Sequence, residues 1–187
     1  MDAKHDLLAQ WIAEEQALLA RQRAKGQPAQ GGLGDPHRLS QLSGLEQLRL
    51  MLSGDSPAPP IAYTMDFFLI DATEGRAVFQ GAPQFRHFNP IGSVHGGWFA
   101  TLLDSALGCA VHSTLAVGER YTTLELKLNL VRALSAGEPS RVRAIGTVRH
   151  RGRQMATAEA DLVGPDGKLY AHASTTCLMI PPRFSGA

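Results

Sequence analysis

The sequence predicts an α+β protein in which one buried helix is wrapped by an antiparallel sheet of about six strands. Two observations carry this. Residues 98–111 contain no proline, and Trp98, Phe99, Leu102, Leu103, Leu107, Cys109, Ala110 and Val111 cover every side of a helical wheel, the pattern of a helix buried on all faces. Segments of strand character at 67–72, 76–80, 121–131, 141–150, 154–163 and 169–179 flank it in meander-like order, with turn signals at Thr73-Glu74-Gly75, Gly152 and Pro165-Asp166-Gly167. One long helix and a run of strands imply a sheet packed on that helix.

The elements follow in order. Residues 6–24 read as an amphipathic helix with Leu7, Leu8, Trp11, Ile12, Leu18 and Leu19 toward one side. Residues 26–36 are a glycine- and proline-rich linker. A second helix carries Leu39, Leu42, Leu45, Leu48 and Leu52, with capping-box spacing at Ser43 and Glu46 and a closing Gly54. Residues 55–60 (Asp-Ser-Pro-Ala-Pro-Pro) then separate an N-terminal helical extension, 1–57, from a core domain, 58–187. The two helices are not basic, so they read as packing elements rather than nucleic-acid readers. In the strand at 121–131, Thr122, Leu124, Leu126, Leu128 and Leu130 alternate with Thr123, Glu125, Lys127 and Asn129, which predicts a half-buried antiparallel strand.

Composition sets the outer limits. The 187 residues suffice for one domain plus an extension, and 44% hydrophobic with 19% charged residues is a globular rather than a disordered balance. A net charge of +1 gives no general argument for nucleic acid or a membrane surface as partner. Two cysteines, Cys109 and Cys177, make no disulfide framework. No apolar run reaches the length of a membrane span, and the start Met-Asp-Ala-Lys-His-Asp lacks the plan of a signal peptide, so cytoplasm is the expectation. The histidines at 5, 37, 87, 95, 112, 150 and 172 form no paired-ligand spacing, and no serine elbow, phosphate loop or dinucleotide fingerprint is present, so neither metal nor cofactor is expected.

The chemistry points to residues 89–109. Asp104 is a lone carboxylate inside the all-apolar helix, and desolvating an unpaired charge costs several kcal/mol. It therefore needs a partner, a wet pocket or a reaction to serve. Ahead of it, His95-Gly96-Gly97 opens the helix. Glycine lets a ligand approach the backbone, and the first amides of a helix sit at the positive end of its dipole, suited to a carbonyl oxygen or oxyanion. Gly97 and Asp104 are seven residues apart, roughly 10.5 Å along a helix. They cannot serve one carbonyl from the same chain, but a two-fold dimer solves this by placing Gly97 of one subunit beside Asp104 of the other.

The pattern Asn89-x-x-Gly92-x-x-His95-Gly96-Gly97, then Leu102-x-Asp104 on a helix and the strands that follow, resembles the PaaI-type branch of the hotdog-fold acyl-CoA thioesterases over about residues 60–180. The resemblance implies the hotdog fold, hydrolysis of an acyl-CoA or aryl-CoA thioester to free acid and coenzyme A without cofactor, and a homodimer or homotetramer with active sites at the dimer interface. It makes Asp104 the general base or the nucleophile, and Gly97 N–H the group that polarises the thioester carbonyl. It gives Asn89 the water to orient, and Thr123 a contact to water or carboxylate.

Bland readings stand beside these roles. His95 either meets the thioester or braces its loop, Gly96 serves the turn, and Asn89-Pro90 is also an ordinary turn. Thr122 exchanges faces with Thr123 on a one-residue slip of register. Arg149, Arg151 and Arg153 around Gly152, with Arg132 after the preceding strand, are candidates for the coenzyme A phosphates or are simply a solvated basic hairpin. Ala133 stands where the family often has proline. Phe67, Phe68, Phe85, Phe88 and Trp98 line an acyl pocket or belong to the core. Two other functions remain open. One is a hotdog dehydratase or hydratase pairing His87 or His95 with Asp104. The other is a non-catalytic acyl-CoA-binding or sensing protein that uses residues 1–55 as its partner arm.

Overall fold

The computed structural model describes residues 3–135 and 140–182. Helices α1 (Ala3–Ala24), α2 (Pro36–Leu39), α3 (Gly44–Ser53) and α4 (Pro60–Met65) precede strands β1 (Phe67–Thr73) and β2 (Arg76–Gly81). The central helix α5 (Gly96–His112) and strands β3 (Arg120–Leu130), β4 (Val142–Arg151), β5 (Met155–Val163) and β6 (Leu169–Ile180) follow. All pairings are antiparallel, in the order β1-β2-β4-β5-β6-β3. This is the hotdog architecture: a single sheet curled around one helix.

Leu102, Leu103, Ala106, Leu107, Ala110 and Val111 of α5 are wholly buried, as a helix apolar on every face requires. The sheet meets it with small residues, Ala144, Ala156, Ala158, Ala160, Ala171 and Ala173, all in the same core. The closest approach is at Gly146 of β4, where an added Cβ would lie 2.3 Å from the Ala106 carbonyl oxygen. Side-chain bulk thus comes from the helix and smallness from the strands, which lets a strongly curved sheet close on it.

The N-terminal segments depart from the sequence expectation in detail. The buried stripe of α1 is Trp11, Glu15, Leu18 and Gln22, whereas Leu7 is exposed and Leu8, Ile12 and Leu19 are half-buried. Polar residues take the buried positions because they dock on polar partners. The Arg141 guanidinium donates to both oxygens of Glu15 (2.8 and 2.9 Å), and Gln80 Nε2 donates to Glu15 (2.8 Å) and to the Trp11 carbonyl (2.9 Å). Arg143 bonds Gln80 Oε1 (3.0 Å), pairs with Glu14, and lies 4.4 Å over the Trp11 ring. Gln80 and Arg143 are register partners whose neighbours Phe79 and Ala144 belong to the core with α5, so α1 lies on the opposite, outer face of the sheet. The expected second helix is split, because Ser43 takes an extended conformation and starts α3 with a reciprocal Ser43–Glu46 capping box. Residues 60–65, of which the sequence assigns only Pro60 to the linker and the rest to no element, form α4, with Pro60 at its first position.

Strand β3 corrects the alternation. A bulge between Thr123 and Glu125 shifts its pairing with β6, so Tyr121 and Thr123 before it and Leu126 and Leu128 after it turn toward the core side. Leu124 is 58% exposed. A bulge adds one residue and reverses the faces beyond it, which unbroken alternation cannot show. Because β3 is the last strand in the sheet order, most of it is solvent-exposed rather than half-buried. Among the described residues, no helix is long and apolar enough to cross a membrane. Gly146→Ala is expected to destabilise the protein by about 1–3 kcal/mol, the scale of core overpacking, read as a lower urea midpoint at unchanged m-value.

Candidate active site

Asp104 lies halfway along α5, half-buried, and lines a cavity of about 250 Å³. Phe67, Phe68, Leu69 and Phe79 of the first hairpin supply much of its apolar wall. Thr123 and Tyr121 of β3, Ser105 and Cys109 of α5, and Leu18, Gln22, Met51 and Ala62 from the N-terminal helices complete it. The Thr123 hydroxyl donates to Asp104 at 3.5 Å, longer than a well-formed O–H···O bond, so most of the carboxylate's accepting capacity stays open to a water. Burial pushes the Asp104 carboxyl above its ordinary range, and the Thr123 contact opposes this only in part.

The neighbours narrow the chemistry. Burial, then the charge of Asp104, pushes the Cys109 thiol up to about 12, far from a thiolate nucleophile. The Ser105 hydroxyl donates to the Thr101 carbonyl (2.8 Å), and no histidine lines the cavity. His87 lies elsewhere, stacked on Trp98 with ring centres 5.9 Å apart, accepting from Gln84 N–H at Nδ1 and standing 3.5 Å from Asp66. His95 is the N-cap of α5, separated from Asp104 by the helix turns between them. Neither histidine is paired with Asp104 within the protomer, so the arrangement expected of a dehydratase is absent there.

At the helix start, His95 Nδ1 accepts the Gly97 N–H at 2.9 Å. That bond leaves the proton of the neutral ring on Nε2. The sequence alone treated His95 and Gly97 as separate contributors, but the structure couples them: the imidazole holds the amide assigned to the thioester carbonyl. Gly97 and His95 are both exposed. The Asn89 side chain orders its own loop, its Oδ1 accepting from Ile91 N–H and Ser93 N–H (3.1 Å each) while Nδ2 donates to Ser93 Oγ (2.9 Å). One Nδ2 hydrogen remains for a water. Gly96 begins the helix, where a Cβ would meet Leu130 at 3.2 Å. Thr122, on the other side of β3 from Thr123, is exposed and absent from the cavity lining.

The arginines do not form one cluster. Arg151 pairs with Glu119 (2.7 Å), just before β3, and Arg149 with Glu159 (2.7 Å). Arg132 lies beyond the far end of β3, its N–H bonded to the Tyr170 carbonyl (3.0 Å). An eleven-residue strand separates the two sites, roughly 36 Å at about 3.3 Å per residue. Arg153 is exposed in the turn between β4 and β5. Of the five aromatic candidates, Phe67 and Phe68 line the Asp104 cavity, Trp98 is core, Phe88 is half-buried and Phe85 is 87% exposed. Sequence reasoning missed the cavity residues Leu18, Met51 and Ala62. No local spacing signals them, because their approach to Asp104 arises only when the N-terminal helices fold over β1. Among the described residues, no group of three metal-ligating side chains comes together.

Residues 91–171 match the thioesterase superfamily. No curated protein matches the chain. Among solved structures, a phenylacetic acid degradation-related protein from Ralstonia eutropha is 29% identical, with a TM-score of 0.64 over 70% of this chain and 98% of its own. The E. coli PaaI protein from the phenylacetic acid degradation operon is 23% identical, with a TM-score of 0.64 over 77% and 97%. A point mutant of the phenylacetic acid degradation protein PaaI from Thermus thermophilus is 28% identical, with a TM-score of 0.58 over 64% and 97%. Each is covered almost end to end, while 23–36% of this chain lies outside the match.

Two outcomes follow. Because the Asp104 carboxyl titrates higher in the folded state, stability falls as pH rises from the unfolded carboxyl range, about 3.9, through the folded value. The cost is fully in place above the folded value. Asp104→Asn is therefore expected to melt above the wild type at pH 7, with the gap closing toward about pH 3–4, where the wild-type carboxyl is also neutral. His95→Ala, which uncaps α5, is expected to lose about 1 kcal/mol in urea denaturation, while His95→Asn keeps most of that stability, since asparagine is a good N-cap.

Proposed function

We propose that the chain is a hotdog-fold thioester hydrolase of the PaaI type, a reading supported by its match to the thioesterase superfamily and its likeness to PaaI-type structures, and that it cleaves an acyl- or aryl-CoA to free acid and coenzyme A, using Asp104 and no cofactor. The observation that carries the proposal is the isolation of Asp104. It is a half-buried carboxylate in a largely apolar cavity, beside a hydroxyl but with no histidine, thiolate or cation among the lining residues.

Such a carboxylate accepts a proton from a water, and the hydroxide so formed adds to the thioester carbon. The oxyanion of the tetrahedral intermediate accepts a hydrogen bond from the Gly97 N–H, and its collapse breaks the C–S bond and expels the thiolate, which takes up the proton held by Asp104. Direct attack by Asp104, giving an anhydride that water then opens, uses the same geometry. The raised carboxyl suits either route, because a more basic carboxylate is the better proton acceptor and nucleophile.

Two copies complete the site in this reading. Gly97 and Asp104 stand on one helix seven positions apart, so the carbonyl donor comes from a second subunit. The outer strand β3, with Leu124, Leu130 and Val131 more than half exposed on or just beyond it, offers the edge for joining two sheets. In binding the coenzyme A phosphates, Arg132 and Arg151 serve different sites or different subunits, and Arg151 must loosen its pair with Glu119. The two free cysteines suit a reducing compartment such as the cytoplasm.

The test is thiol release from a panel of acyl- and aryl-CoA esters. The wild type is expected to turn over one class, and Asp104→Asn to lose a hundredfold or more, the scale of a lost acid–base group. Binding of esters by both proteins with thiol release by neither would instead make Asp104 a ligand-sensing carboxylate. Thr123→Val, which removes the one hydrogen bond that lowers the Asp104 carboxyl, is expected to move the acid limb of kcat/KM to higher pH.

A further inference from the structure

We propose that the N-terminal helices form the acyl-selecting wall of the Asp104 cavity, with Met51 setting its depth. This rests on the thioesterase reading above. Leu18 of α1, Met51 of α3 and Ile61 and Ala62 of α4 line the same cavity as Asp104 and Thr123. A second cavity of about 230 Å³ adjoins it, running toward Gln47, Leu48 and His112. Met51, Pro59, Cys109 and Tyr121 line both cavities and so form the partition between them.

Met51 is the part of that partition most easily removed. Pro59 is ring-locked backbone, Cys109 belongs to the central helix and Tyr121 is set in the sheet, whereas Met51 is a flexible apolar side chain on α3. The wall itself is fixed. The Glu15–Arg141 and Gln80 bonds hold α1 to the sheet, the Tyr63 hydroxyl donates to Gln22 (2.9 Å), and Gly44 at the start of α3 donates its N–H to the Leu115 carbonyl (3.0 Å). An apolar cavity of about 150 Å³ holds a benzene ring. The Asp104 cavity, at about 250 Å³, therefore takes an acyl group somewhat larger than one ring, and opening the partition would roughly double the space.

The experiment measures kcat/KM for butanoyl-, octanoyl- and dodecanoyl-CoA with the wild type, Met51→Ala and Ile61→Trp. Met51→Ala is expected to raise the dodecanoyl-to-octanoyl ratio about tenfold or more, the gain from burying two further methylenes. Ile61→Trp, at a position 45% exposed and so tolerant of change, is expected to shift the preference the other way, toward butanoyl-CoA. Active variants with ratios equal to the wild type would overturn the proposal. If the wild type releases no thiol from these esters or from the aryl-CoA esters of the panel above, the thioesterase reading fails. The wall is then judged by dissociation constants of hydrolysis-inert thioether analogues of the three esters: the same length shift in Met51→Ala supports it, and unchanged length dependence overturns it.

Discussion

The structure depends on burying the large apolar side chains of α5. A seventeen-residue helix with bulky side chains on every face can be covered by one sheet only if the strands present small residues and approach the helix backbone closely. The alanines of β4, β5 and β6 and the bare Cα of Gly146 meet that condition. The curvature they permit brings the first hairpin and β3 to the same side of α5, and the cavity at Asp104 forms between them.

Placing a carboxylate in that helix is costly, and the fold offsets the cost only slightly. Thr123 offers a long hydrogen bond, and the surrounding aromatic and aliphatic walls raise the carboxyl. A carboxylate kept short of partners is a poor stabiliser but a good proton acceptor. The same helix carries the second half of the proposed chemistry at its N-terminus, where His95 holds the Gly97 amide. That bond orders the donor before any carbonyl arrives, and it must be shared or released when one does. A single helix cannot fold its two ends onto one carbonyl, which is the physical basis for assigning the site to two subunits.

The N-terminal helices change the character of the site. Their attachment is ionic and polar on the outer face of the sheet, through Glu15, Arg141, Gln80 and Arg143. It is apolar around β1, through Leu18, Ala58, Ala62 and Phe68. Removing one member of such a buried pair strands the other charge, which is why these contacts hold position even where their net contribution to stability is small. A segment that reads as an appendage thereby supplies part of the wall beside Asp104.

Local pattern determined much of this protein. The all-apolar helix, the six strands and most of their limits, the capping box at Ser43 and the anomaly of Asp104 are visible because periodicity, turn chemistry and the cost of a buried charge act within a few residues. The motif around His95 added a family resemblance. Tertiary structure alone decided the rest. The bulge that turns Thr123 rather than Thr122 toward Asp104 depends on pairing with β6. The separation of Arg132 from Arg151 follows from the direction and length of β3. The engagement of Gly97 by His95 depends on the torsions of a single helix start. The approach of Leu18, Met51 and Ala62 to a carboxylate more than forty residues away in sequence is a long-range contact, and no spacing within a segment encodes it.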